Sequence, residues 1–191
     1  MTLAGFLFFL SVSYSFGNDL DSLKKGLQFL EYKKIDVTIT QFQYSERYHS
    51  AISISFLDQS SYLVKSNEQD IFVSGDKVKT WNKNTNQLII DTKLEGEKDI
   101  FAILTGELDG VILQDKRNEN GAITFGFFIE DFGLKGTLKV DRLNWRLQEI
   151  RIEYDKDNWV QLNMNSWLYL TENISFSDFG AEAEEVIDLN E

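Results

Sequence analysis

No cysteine and no proline occur in these 191 residues, and histidine occurs once, at position 49. Without cysteine there are no disulfides, no thiolate zinc sites, no cysteine nucleophile and no lipid anchor through a cysteine. A single histidine leaves His49 as the one residue through which a Ser-His-Asp triad could run, and it excludes histidine metal clusters. Basic residues are also few. Nineteen Lys and Arg stand against 31 Asp and Glu, a formal net charge of -12. An acidic surface repels phosphate, so nucleic acid is excluded as a partner, and any lipid contact should run through tails rather than a basic patch. Gly-rich phosphate loops and nucleophile elbows are missing. Asp155, Asp157 and Asn158 imitate the start of a calcium loop. No glycine follows at the sixth position, and Ser166 stands where a bidentate Glu is needed, so the segment reads as a hairpin turn. The pairs Glu130-Asp131 and Glu184-Glu185 have no second group placed to polarise a substrate. No catalytic residue, metal site or cofactor is expected, and the chain reads as a binding protein rather than an enzyme.

What the chain does contain is apolar and aromatic: 42% hydrophobic residues and 14% aromatic, enough for one domain with a real core. The one long apolar run, Leu3 to Val12, is too short to span a bilayer and has the length of a signal-peptide core. Ser15-Phe16-Gly17 supplies a small-residue cleavage site before Asn18. The expectation is a signal peptide over 1–17, a single domain over 18–191, and export to the periplasm.

From Asp19 to Lys33 the leucines at 20, 23, 27 and 30 recur at helical spacing, with Lys24, Lys25, Lys33 and Lys34 facing water. From Ile35 the period changes to two. Val37/Ile39, Ile52/Ile54/Phe56, Ile123/Phe125/Phe127/Ile129, Leu138/Val140, Ile150/Ile152 and Val160/Leu162/Met164 alternate with polar residues, as in antiparallel sheet with one wet face. Turn residues cluster at Ser74-Gly75-Asp76, 82–86, 118–121 and 155–158, which predicts a meander. A second helix is readable only at Lys98 to Thr105. Two helices cannot cover so broad a flat sheet, so it must curl around its apolar face. The fold class is mainly β (α+β): a curled antiparallel sheet forming an incomplete β-barrel, with an N-terminal helix and a short helical lid. The acidic tail from Gly180 is read as a solvated terminus or, through Val186 and Leu189, a last edge strand.

A curled sheet with little cover leaves an apolar concavity. Its expected lining is Tyr62, Val64, Phe72, Trp81, Ile90, Phe125 and Phe127, and the expected lid is Ile100, Phe101, Ile103 and Leu104.

Several of these elements, in this order, resemble the LolA-type carriers of outer-membrane lipoproteins. Ile39-Thr40-Gln41 is similar to that family's first-strand Phe-Thr-Gln. Tyr62-Leu63-Val64 stands near its aromatic strand. Val73-Ser74-Gly75-Asp76 with Trp81 is similar to its Val-Ser-Asp-Gly-x-x-x-Trp hairpin, with Gly and Asp exchanged and the Trp displaced by one residue. Asp99 to Gly106 looks like the lid helix, and Glu172 to Phe179 like the closing Phe-x-Phe strand. The stretch Phe56 to Ser61 departs from the pattern, having neither Arg nor Pro where the family latches its lid with an arginine. The resemblance implies lipoprotein acyl chains as ligand. As partners it implies an inner-membrane lipoprotein-releasing transporter and an outer-membrane acceptor. A monomer is expected. The alternative is a related half-barrel module that binds another lipid or apolar ligand.

Overall fold

The computed structural model describes residues 18–27, 33–58, 60–93, 103, 104, 106, 108–130, 133–171 and 175–190. The segment 1–17, expected to be a signal peptide, lies outside them. A helix, α1, spans 18–27, and helical backbone recurs at 103–104. Twelve strands follow α1: β1 Lys33–Gln43, β2 Glu46–Phe56, β3 Ser61–Lys65, β4 Gln69–Ser74, β5 Lys77–Asn82, β6 Gln87–Thr92, β7 Val111–Glu119, β8 Ala122–Ile129, β9 Leu134–Asp141, β10 Leu147–Asp155, β11 Asn158–Tyr169 and β12 Glu185–Asp188. They form one sheet in the order β12-β6-β5-β4-β3-β2-β1-β11-β10-β9-β8-β7. It is two meanders, β1 to β6 and β7 to β11, welded where β1 pairs antiparallel with β11. The sheet does not close on itself, as expected for an incomplete barrel.

The expected turns are where the strands reverse. Gly75, with φ 62°, sits in the two-residue link from β4 to β5, and Asn120 and Gly121, with φ 45° and 80°, link β7 to β8. Both conformations are cheap only for glycine and asparagine. The 155–158 segment is the β10–β11 turn. There Asp155 accepts the backbone N–H of Asp157 and the side-chain amide of Asn158, at 2.8 and 2.6 Å. Register slips in β7 between Gln114 and Arg117, in β10 between Leu147 and Glu149 and between Glu153 and Asp155, and in β1 against β11 between Asp36 and Val37. Bulges of this kind bend and twist a sheet, and they supply the curl that alternation alone does not.

One face of the sheet holds the core. Ile35, Val37, Ile54, Phe56, Tyr62, Val64, Val73, Val111, Leu113, Phe125, Phe127, Leu138, Val140, Ile150, Ile152 and Leu162 join Leu23 and Leu27 of α1 in a single buried cluster. Each such side chain contributes about 1.5–3 kcal/mol of burial. Besides an exposed Lys24–Asp109 ion pair at 3.4 Å, helix α1 is held at three points among the described residues. Its leucines face the sheet, and Asp19, 6% exposed, takes both carboxylate oxygens to Lys116 Nζ on β7 at 2.8 and 2.9 Å. At the third, a Cβ on Gly26 would lie 2.6 Å from the Trp145 carbonyl oxygen, so only glycine allows that approach.

Two expectations need correction. The helix was expected to run to Lys33, but Lys33 and Lys34 begin β1, paired with Phe56 and Ser55 of β2 and with Tyr169 and Leu168 of β11. Ladder pairing on both sides outweighs local helical preference there. The tail is not wholly solvated: Glu185–Asp188 pairs parallel with β6 as an edge strand.

Gly136 pins the middle of the second meander. A Cβ there would fall 2.0 Å from the Arg151 carbonyl oxygen and 2.6 Å from the Phe127 ring. Neither a backbone carbonyl nor a fully buried ring can move aside. Gly136→Ala is expected to lower stability by about 3 kcal/mol, read as a fall in the urea midpoint at unchanged slope.

Candidate functional site

Strand parity sorts the expected lining residues onto two faces. Tyr62, Val64, Phe125 and Phe127 lie on the core face, in the same cluster as Ile103 and Leu104. Phe72, Trp81 and Ile90 do not. Phe72 pairs with Leu63 and Lys79, Lys79 with Ile90, and Trp81 with Asp70 and Leu88, so these residues share the opposite face. That second face has its own cover, the segment 175–183. Phe176 and Phe179 meet the Phe72 ring edge-on at 5.1 and 5.6 Å. Lys79 Nζ donates to the Phe176 carbonyl at 2.8 Å and lies 4.7 Å from that ring's centre. Trp81 Nε1 donates to Asn86 Oδ1 at 3.1 Å, which fixes the indole to its own hairpin turn. Ile100 and Phe101, expected in the lid, lie outside the described residues.

The core face therefore carries the candidate site. Among the described residues its cover consists of Leu23 and Leu27 from α1 and Ile103, Leu104 and Leu108 from the connection between β6 and β7, all at most 3% exposed. Because β6 and β7 stand near opposite ends of the sheet order, this connection joins the two margins of the open sheet. Ile103 and Leu104 are thus buried in the cluster on the core face.

The margins of this face are not uniform. At the end formed by the start of β1 and the finish of β11, a groove of about 440 Å³ lies between α1 and the sheet, lined by Gly26, Lys33, Asn144, Arg146, Trp167, Leu168 and Tyr169. Trp167 packs against the core, so the groove's floor is continuous with the apolar interior. Lys33 Nζ lies 3.0 Å from the centre of the Tyr169 ring, and the Arg146 guanidinium 5.4 Å from that of Trp167. The Lys33 ammonium, first as hydrogen-bond donor and then as charge, lowers the Tyr169 phenol below its ordinary value, and Arg146 adds to the effect. At the far end of the strands a second groove of about 390 Å³ is lined by Phe42, Tyr44, Tyr154 and Trp159 among others. Phe42 stacks on Trp159 at 5.7 Å, and Arg151 covers the Trp159 ring at 4.2 Å. His49 is exposed on β2, its Nδ1 3.1 Å from Thr40 Oγ1.

No protein-family model matches the chain, and no curated protein matches it by sequence. Solved structures do. An uncharacterized conserved protein from Thermus thermophilus aligns over 88% of this chain and 98% of its own, at 10% identity and a TM-score of 0.54. The two share a fold. A LolA superfamily protein from Nitrosomonas europaea is similar over 83% of this chain and 96% of its own, at 10% identity and a TM-score of 0.46. LprF from Mycobacterium bovis is similar over 82% and 92%, at 14% identity and a TM-score of 0.44.

Sequence reasoning missed Trp145, Trp167, Lys33 and Arg146. Trp145 stacks on Phe125 at 6.0 Å from a left-handed backbone, φ 58°, in the β9–β10 link. The local signal was a tryptophan flanked by Asn144 and Arg146 in a turn, where an aromatic residue needs a tertiary reason to be.

The second face yields a test of this division. Phe72→Ala is expected to lower stability by about 3 kcal/mol and to expose the 175–183 segment to protease. Binding of an acyl probe to the core face should change less than twofold. A loss of probe binding matching that of a core-face substitution would put Phe72 back in the site.

Proposed function

We propose that the chain is a periplasmic carrier that shields lipoprotein acyl chains on the concave face between the membranes. On this reading residues 1–17 are its export signal and 18–191 its working domain. An inner-membrane lipoprotein-releasing transporter loads it, and an outer-membrane acceptor unloads it. The observation that supports this best is an open sheet whose core face is covered, among the described residues, by small separate pieces from α1 and the β6–β7 connection rather than by a second sheet. The order of motifs along the sequence points the same way.

The physical task is to offset the cost of an acyl chain in water. At about 0.8 kcal/mol per methylene, a chain of roughly fifteen methylenes carries about 12 kcal/mol. A closed, filled barrel has no room to accept it. An open sheet with a removable cover does, and the apolar surface exposed when the cover lifts keeps binding reversible. Tyr62, Val64, Phe125 and Phe127 form the receiving face, and Ile100, Phe101, Ile103 and Leu104 the cover. Phe72, Trp81 and Ile90 are left out of this site because the 175–183 segment occupies their face.

The missing Arg and Pro in 56–61 favour a second reading, a half-barrel of the same kind that binds a different amphiphile. Native mass spectrometry of protein purified from an exporting host separates the two by the mass that accompanies it. Phe101→Asp is expected to weaken binding of a fluorescent acyl probe by about tenfold or more while the thermal midpoint stays within a few degrees. Unchanged probe affinity would remove the cover from this reading.

A further inference from the structure

The groove at the β1/β11 end is unusual for this chain. A protein of net charge -12 lines it, among the described residues, with a lysine and an arginine and no carboxylate. Neither Lys33 nor Arg146 takes part in an ion pair among the described residues. Each lies instead against a ring, Tyr169 and Trp167 respectively. A ring contact leaves most of a cation's hydrogen-bond donors available: the ammonium has three, one of them directed to the Tyr169 phenol, and the guanidinium has five. Between them Trp167 leads inward. It pairs with Ile35, which is fully buried, and packs against the core cluster. Charge and grease are therefore ordered along one path, with cations at the rim and apolar surface behind them.

We infer that this groove binds the anionic headgroup of a single-chain amphiphile, a carboxylate or phosphate joined to one acyl tail, with Lys33 and Arg146 on the anion and Trp167 under the first part of the tail. The inference rests on reading the core face as an acyl site and takes the second reading above, a half-barrel that binds an amphiphile other than a lipoprotein. Oriented cations on an apolar floor match such a molecule in both sign and order. A neutral lipid would leave the two donor sets unused, and a free anion would leave the Trp167 floor uncovered. About 440 Å³ is a pocket of small-molecule size, suited to one headgroup and the start of one tail. Hydrogen bonds from cation to anion are the strong kind, and at exposed groups such as Arg146 their contribution falls with added salt. The lowered phenol of Tyr169 reports the same positive surroundings.

The test uses the full chain with three probes: a pyrene-labelled fatty acid, its methyl ester, and inorganic phosphate. The acid is expected to bind about tenfold more tightly than the ester, the scale of one charge-assisted hydrogen bond. Lys33→Gln with Arg146→Gln should bring the acid down to the ester's affinity while leaving the ester and the thermal midpoint unchanged, and Lys33→Arg should retain most of the preference. Equal binding of acid and ester by the unaltered protein overturns the headgroup site but leaves the acyl reading standing. So does a double variant that weakens both probes alike. Failure of both probes to bind overturns the acyl reading itself, and this inference with it. Inorganic phosphate bound as tightly as the acid at matched ionic strength shows that the tail adds nothing at these cations, assigns them to a free anion and also overturns it.

Discussion

An apolar sheet face that cannot close over itself sets the terms for this molecule. The sheet orders twelve strands with β12 and β7 at its ends, so the concave face needs cover from elsewhere in the chain. Helix α1 gives part of it, and its hold is specific in ways a greasy contact alone would not be. Asp19 is buried against Lys116, whose ammonium also lies 5.7 Å from the Phe125 ring, and Gly26 lets the helix reach the Trp145 backbone. A buried carboxylate is costly without a partner, so that pair fixes the placement of the helix more than it adds stability. The free margins are guarded by charge and irregularity. β7 carries Lys116, Arg117 and Glu119 beside a bulge with Asp115 at φ 51°, and the short β12 begins and ends on Glu185 and Asp188. Such edges resist pairing with another chain.

Sheet, turns and helix position were legible because each rests on local patterning. Alternation in β8 and β10 gave the buried face directly: Ile123, Phe125 and Phe127, then Ile150 and Ile152, are all buried. The error lay in treating every aromatic strand residue as facing one way. Tyr62-Leu63-Val64, Ile71-Phe72-Val73 and Leu88-Ile89-Ile90 are unbroken apolar runs rather than alternating ones, the pattern of strands covered on both sides. The two-residue turn at Gly75-Asp76 also fixes the register that sets Val73 against Val78 and Phe72 against Lys79. Both signals were present in the sequence and point to a second buried face. That face exists because 175–183 folds across it, with Gly180 so close that a Cβ would sit 2.6 Å from Leu88.

The groove could not have been read this way. Lys33 and Tyr169 lie at opposite ends of the domain sequence and meet only because β1 and β11 join the two meanders. Arg146 reaches Trp167 through the β9–β10 link, whose path depends on Trp145 in a left-handed conformation that composition does not signal. Overall charge pointed the other way, because a sum of -12 conceals a local pair of cations. Net charge governs long-range repulsion, whereas recognition at a few ångströms depends on which charges lack partners.

On the carrier reading, the cover that stabilises the protein must compete with the ligand. Ile103, Leu104 and Leu108 are buried in the cluster that an acyl chain would enter, and together they represent about 5–9 kcal/mol of apolar burial. Against about 12 kcal/mol for a chain of roughly fifteen methylenes, displacing all three would cancel about 40–75% of the gain. Entry would then depend on where the tail can begin without lifting the whole cover. The floor of the groove offers such a place, since Trp167 already joins the rim to the core and α1 approaches the sheet there through a glycine. A tail that starts beneath the helix and displaces the cover progressively never exposes the full apolar face to water. On the carrier reading, this path allows binding and release to remain fast while the bound state stays shielded.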